Sequence, residues 1–179
     1  MKNIGVFLSA ADVPKKYLGP ARKFARLLAQ NKFNLVWGGS DKGLMKIVAD
    51  EVQQHGGKLI SVTMPLVQKS VRLNSDEIIC AQDLSERKKI IAEKANVIVV
   101  LVGGIGTLDE VTELLEFKKH GVYNQPIIFL NTANFYDGLK KQLEKMEAEG
   151  FLPRKLGELV HFAATPEEVF KFLSRENNN

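Results

Sequence analysis

The stretch of this 179-residue chain best suited to chemistry is Val102-Gly103-Gly104-Ile105-Gly106-Thr107-Leu108-Asp109-Glu110. It follows the β-branched run at 97–102 and opens a helical pattern, so it reads as a strand-to-helix loop. Gly103, Gly104 and Gly106 let the backbone turn tightly and approach a ligand. The unpaired N–H groups of a helix start, with the helix dipole behind them, favour a phosphate. Thr107 adds a hydroxyl donor. A dinucleotide fingerprint does not fit: counted from Gly104, its third glycine falls on Asp109, and Pro126-Ile127 stand where a ribose-binding acid belongs. The Walker ending G-K-[ST] does not occur. A single phosphate is implied, rather than a dinucleotide or a triphosphate with Mg²⁺.

A second loop, Trp37-Gly38-Gly39-Ser40-Asp41-Lys42-Gly43-Leu44-Met45, also joins a strand to a helix. It either faces the first across one cleft or simply makes a tight turn. A third segment, Asp83 to Lys88, lies near a helix start. Arg87 there offers a planar fork for a phosphate or carboxylate, or else belongs to a solvated helix face. Glu110 also has two readings. Thr107-x-x-Glu110 fits a capping box, and the same carboxylate would stand about one helical turn from a bound phosphate. His55, His120 and His161 are far apart and lack metal-site spacing, so no metal is expected. Ser9 follows the first strand without the G-x-S-x-G of a nucleophile elbow.

These loops need a scaffold. Short apolar runs at 4–8, 34–37, 59–62, 78–80, 97–102, 127–130 and 159–162 read as strands. Amphipathic runs at 17–30, 43–54, 85–94, 108–119, 135–149 and 166–175 read as helices. Alternation of this kind predicts an α/β fold: one doubly wound, Rossmann-like domain over residues 1–176, with a mainly parallel sheet and helices on both faces. Ligands of such sheets bind beyond the carboxyl ends of the strands. Thr165-Pro166-Glu167-Glu168 carries an N-cap, a first-turn proline and a capping-box acid, and Asp83 and Glu86 stand in the same relation. Residues 64–76 are the longest stretch without a clear element, either a functional loop or a plain crossover. Residues 177–179 read as a frayed tail.

The net charge is +4 and the pI about 9.1, but the lysines are scattered and no basic run is interleaved with aromatics. Nucleic acid is therefore not an expected partner, and anionic small molecules suit the charge equally well. The single cysteine, Cys80, permits no intrachain disulfide and fits a reducing compartment. The opening apolar run is too short for a signal core or a membrane span. A cytoplasmic protein without membrane partners is expected.

Taken together, the blocks resemble the Lonely Guy family of cytokinin-activating phosphoribohydrolases, often labelled lysine decarboxylases. The family's P-G-G-x-G-T-x-x-E appears at Val102 to Glu110 with only the proline replaced. Its G-G-x-x-x-G-L-M appears at Gly38 to Met45, its E-R-K at Glu86-Arg87-Lys88, and Gly121…Asn124-Gln125-Pro126 is also similar. The resemblance spans about residues 3 to 173. It implies a homodimer that hydrolyses the N-glycosidic bond of a nucleoside 5′-monophosphate, such as AMP or a cytokinin riboside 5′-monophosphate, without a cofactor. It makes Arg87 and Glu110 the catalytic pair. Gly103, Gly104, Gly106 and Thr107 would cradle the phosphate, and Gly39, Met45 and Lys88 would line the nucleotide cleft. Ser85 and Phe117 differ from the family's usual histidine and tryptophan, at positions that border its nucleotide, and Phe7-Leu8-Ser9-Ala10 differs from its cysteine-glycine-serine-serine. Related proteins with similar loops carry a phosphorylated cofactor, such as the molybdenum cofactor, without catalysis.

Overall fold

The computed structural model describes residues 2–176; the tail expected at 177–179 lies outside the described residues. The strands are β1 (Asn3–Phe7), β2 (Asn34–Trp37), β3 (Leu59–Thr63), β4 (Glu77–Cys80), β5 (Val97–Val100), β6 (Ile127–Leu130) and β7 (His161–Ala163). The helices are α1 (Lys15–Gln30), α2 (Gly43–Gln54), α3 (Leu84–Lys94), α4 (Ile105–Lys119), α5 (Asp137–Ala148), α6 (Leu156–Leu159) and α7 (Pro166–Glu176). All strand pairs are parallel, in the order β4-β3-β2-β1-β5-β6-β7. The α/β class and the parallel, doubly wound sheet are as the alternating pattern predicts.

The sheet is buried on both faces, which explains the continuous apolar runs of its central strands. Side chains alternate between two cores. Val97, Val99 and Leu101 join Phe24, Leu28, Val48 and Val169 on the face covered by α1, α2 and α7. Ile98 and Val100 join Ile91, Val111 and Leu114 on the face covered by α3 and α4. The predicted caps form: Asp83 Oδ1 accepts the Glu86 N–H at 2.8 Å, and Thr165 Oγ1 accepts the Glu168 N–H at 3.3 Å. Each such cap is worth about 1 kcal/mol.

Three elements depart from the expected pattern. The chain leaves β5 after Val100, because Leu101 and Val102 already belong to the glycine turn. Leu159, expected in the last strand, ends the short helix α6, and β7 starts at His161. The β3–β4 crossover carries no α-helix, only a 3₁₀ segment, Pro65–Ser70.

The far end of that crossover folds back onto the β2–α2 loop. Ser40 and Val71 form an antiparallel bridge, the Arg72 N–H donates to the Gly39 carbonyl at 2.8 Å and the Asp41 N–H to the Ser70 carbonyl at 2.6 Å. The buried Arg72 guanidinium locks this contact by reaching Asp41 at 2.8 Å, Asp50 at 2.7 Å and the Gln53 amide oxygen. No helix among the described residues is long and apolar enough to cross a membrane.

Candidate active site

Chain order reverses between β1 and β5, the position at which an open parallel sheet leaves a crevice beyond its strand ends. A cleft of about 360 Å³ lies there. Its walls are Ser9 and Ala10 after β1, Gly38 and Ser40 after β2, Met45 on α2, Ser70 from the folded-back crossover, Arg87 on α3, and Gly104, Gly106, Thr107 and Glu110 on the β5–α4 loop and helix.

The two glycine loops, similar on paper, are not equivalent. At the start of α2 the Leu44 N–H donates to the Ala11 carbonyl at 3.1 Å and the Met45 N–H to the Ser9 carbonyl at 3.2 Å. The segment after β1 thus consumes donors that an anion would need. Gly43 is what lets it come so close: at φ +51°, a Cβ there would overlap the Ala10 and Ala11 backbone. The start of α4 is different. Its first bond runs from the Leu108 N–H to the Gly104 carbonyl at 3.1 Å, so the amides of Ile105, Gly106 and Thr107 precede it and are the orphan donors of a helix start. A Cβ at Gly104 or Gly106 would meet nothing within 4 Å; both open onto free space. Gly103 is bare for another reason, since a Cβ would overlap the Thr107 hydroxyl. The buried Thr107 side chain is thereby packed against the turn. The β5–α4 loop can hold an anion, and the β2–α2 loop forms a wall.

Thr107 and Glu110 do not form the capping box that their spacing allows. Helix α4 begins at Ile105 with Gly104 as its cap residue, so Thr107 lies inside the first turn and Glu110 is free to face elsewhere. It faces Arg87, with Nη1 and Oε1 3.4 Å apart and side-chain exposures of 12% and 15%. Arg87 is not on a solvated face. Its Nε donates to the Val62 carbonyl at 2.9 Å and its Nη2 to the Gly38 carbonyl at 3.0 Å, which ties α3 to the ends of β3 and β2. Gly38 is required for this, because a Cβ would overlap the guanidinium.

Burial pushes the Glu110 carboxyl up to about 7, the nearby Arg87 cation offsetting only part of that cost and Asp109 adding to it. A carboxylate with a pKa near neutrality can hold or release a proton under working conditions.

The remaining candidate residues are placed as follows. Met45 lines the cleft. Gly39, at φ +73°, turns toward Ser61 behind the wall. Lys88 does not line the cleft: its Nζ sits between Asp109 at 3.1 Å and Glu113 at 3.0 Å. Burial alone would lower its pKa, but the hydrogen bonds to Glu113 and Asp109 outweigh this and hold it above the ordinary lysine value. With Ser85 and Phe117 it lines a second cavity of about 730 Å³ along α3 and α4. Ser40 and Ser70 are cleft residues that sequence reasoning did not single out. Ser40 sits inside a quoted motif, but Ser70 had no local signal, since the crossover brings it there. Among the described residues no group of three or more His, Cys, Asp or Glu is placed to hold a metal.

Comparison with known proteins places the chain in a family. A sequence model of the family described as "possible lysine decarboxylase" matches residues 45–173. A probable cytokinin riboside 5′-monophosphate phosphoribohydrolase from Arabidopsis thaliana is 30% identical over 172 residues, 94% of this chain and 86% of the relative. A cytokinin riboside 5′-monophosphate phosphoribohydrolase from Rhodococcoides fascians is 30% identical over 155 residues, 84% of this chain and 78% of the relative. Among solved structures, the molybdenum cofactor carrier protein from Chlamydomonas reinhardtii superposes with a TM-score of 0.75 at 24% identity over 100% of both chains. The molybdenum cofactor binding protein from Rippkaea orientalis gives 0.74 at 22% identity over 97% of this chain and 96% of that one. The structural neighbours speak to the fold alone. The glycine blocks, the paired Arg87 and Glu110, and a family match over most of the chain's length together establish that this chain belongs to the Lonely Guy family, the one described as possible lysine decarboxylases.

Proposed function

We propose that this protein hydrolyses the N-glycosidic bond of a nucleoside 5′-monophosphate, with AMP and cytokinin riboside 5′-monophosphates as the substrates to try first. The observation that carries this reading is the juxtaposition of a single anion-binding helix start with a buried Glu110–Arg87 pair one turn further along α4. The phosphate sits against the Ile105, Gly106 and Thr107 amides, and Thr107 donates its hydroxyl. The C1′–N bond breaks with oxocarbenium character. The Glu110 carboxylate stabilises that charge and takes the proton of the attacking water. The water's oxygen bonds to C1′ as the C1′–N bond breaks; the departing base nitrogen takes a proton from solvent and Glu110 then returns the water's proton to solvent, giving free base and ribose 5-phosphate. Arg87, held by two backbone carbonyls, fixes the Glu110 carboxylate and offers a cation to the substrate. Met45 forms part of the opposite wall, Gly39 turns the chain behind it, and Lys88 braces the first turns of α4 through Asp109 and Glu113. No cofactor takes part. We read the chain as a single domain acting as a cytoplasmic homodimer, without nucleic acid or membrane partners.

The assay incubates the protein with AMP and with N6-isopentenyl AMP, and chromatographs for free base. Base release with equimolar ribose 5-phosphate is expected. Because the carboxylate form of Glu110 is the active one, kcat/KM rises with pH through about 7 and falls on the acid side. No release from either, with AMP still raising the melting temperature, would replace this reading with that of a carrier for a phosphorylated cofactor.

Gly104→Ala tests the phosphate site separately. The backbone there (φ −93°, ψ −154°) suits any residue, and the new methyl meets no protein atom. As Gly104 is the cap residue of α4, stability should fall by no more than about 1 kcal/mol. A methyl in the ligand's approach path should weaken AMP binding by about tenfold or more. Unchanged AMP affinity by calorimetry would remove the phosphate from this loop.

A further inference from the structure

A side chain far from the motifs grips the phosphate loop from behind. Tyr136 is buried, at 3% exposure. Its hydroxyl donates to the Leu101 carbonyl at 2.7 Å, and the Gly103 N–H near the same oxygen partly offsets the upward push of burial on the phenol's pKa. The phenol therefore holds the backbone at the corner where the chain leaves β5 and turns toward α4. The Leu101 carbonyl is a polar group of a turn packed against the core, and buried backbone groups demand partners. The phenol supplies that partner, and its bond helps hold the corner at one angle.

The rest of the local structure is built to aim this ring. Two consecutive non-glycine residues, Ala133 (φ 52°) and Asn134 (φ 60°), lie in the left-handed region, which is costly for alanine and persists only where surrounding structure imposes it. The Asn131 side chain accepts the Tyr136 N–H at 2.6 Å and donates to Asp137 at 2.7 Å. The ring packs edge-on against Phe129, with centroids 4.7 Å apart. Strain, a side-chain clamp and aromatic packing converge on one hydroxyl, and that hydroxyl bonds the base of the loop.

We propose that Tyr136 is a positioning residue for phosphate recognition: its hydroxyl sets the angle at which the Ile105, Gly106 and Thr107 amides are presented, without touching the ligand. This rests on the phosphate site assigned above.

The test uses the full chain. Wild type and Tyr136→Phe are titrated calorimetrically with ribose 5-phosphate and with AMP, alongside Val169→Ala, a core substitution beneath α7 that lowers stability away from the cleft. Tyr136→Phe keeps the ring but leaves the Leu101 carbonyl without its donor. Affinity for both ligands should fall about tenfold. KM should rise by a similar factor, with kcat held within about twofold. Val169→Ala should bind as wild type does at a comparable loss in melting temperature. Equal affinity of Tyr136→Phe and wild type would overturn the inference while leaving the phosphate site intact. In the wild type, hydrogen exchange at Gly103 N–H should be at least about tenfold slower than at Gly104 and Gly106. Equal exchange would overturn the clamp even if the phenylalanine variant did not fold. Failure of wild type to bind either ligand would overturn the phosphate site itself, and this role of Tyr136 with it.

Discussion

Glu110→Gln should abolish base release, by a factor of about 10² to 10⁴, while leaving the protein folded and, above neutral pH, more stable than wild type. The two effects have one cause. The folded site holds the Glu110 carboxyl near 7, against 4.5 for an ordinary glutamate. Between those values the native state binds more protons than the unfolded chain, so stability declines as pH rises across that window. The contribution is complete below about 4.5 and gone above about 7. Glutamine keeps the shape and carries no charge to bury. At pH 8 it should therefore gain on the order of 3 kcal/mol over wild type, and near pH 4.5 almost nothing. Activity assays and thermal melts at the two pH values check both halves. A variant that retains turnover would remove Glu110 from the chemistry. A stability difference independent of pH would mean that the buried carboxylate is not under the strain described.

Arg87→Lys should be nearly as damaging, though it conserves the charge. The guanidinium makes three directed contacts, to the Val62 carbonyl, the Gly38 carbonyl and Glu110. An ammonium on a flexible stem cannot reproduce that fork. Leaving the two carbonyls without their partner should cost about 1–3 kcal/mol. Loss of kcat/KM should reach about 10², because Glu110 is no longer held and the substrate loses a fixed cation. The pH profile supplies a specific signature. Arg87 is the larger of the two cations lowering the Glu110 pKa, so displacing it should move the acid limb of the activity profile to higher pH. An unshifted limb with full activity would show that Arg87 only fastens α3 to the sheet.

The elements were legible in the sequence because their signals are local. A strand buried on both faces has to be apolar throughout, and Val97 to Val100 are; the caps at Asp83 and Thr165 act within a single turn. Both glycine loops were legible as strand-to-helix turns for the same reason, since glycines followed by a helix start are a local signal. What failed was whatever depended on a distant segment. Thr107 and Glu110 have capping-box spacing, yet the helix starts earlier, at Gly104, and frees Glu110 for Arg87. Lys88 stands beside Arg87 in the motif, but successive helical residues point about 100° apart. One therefore enters the cleft and the other pairs with Asp109 and Glu113.

The sequence by itself determined the class of fold and the strand ends beyond which ligands of such sheets bind, and it offered two glycine loops as places for a phosphate. Each follows from periodicity or from the backbone freedom of glycine, which act over a few residues. Only the tertiary structure decided which of two similar glycine loops keeps its amides unpaired, that Arg87 is buried against Glu110, that Ser70 joins the wall through the Arg72 lock, and that Tyr136 grips the turn from behind. Those are contacts between segments tens of residues apart. Their partners compete for the same donors and the same space, and that competition is settled only when the whole sheet has brought them together.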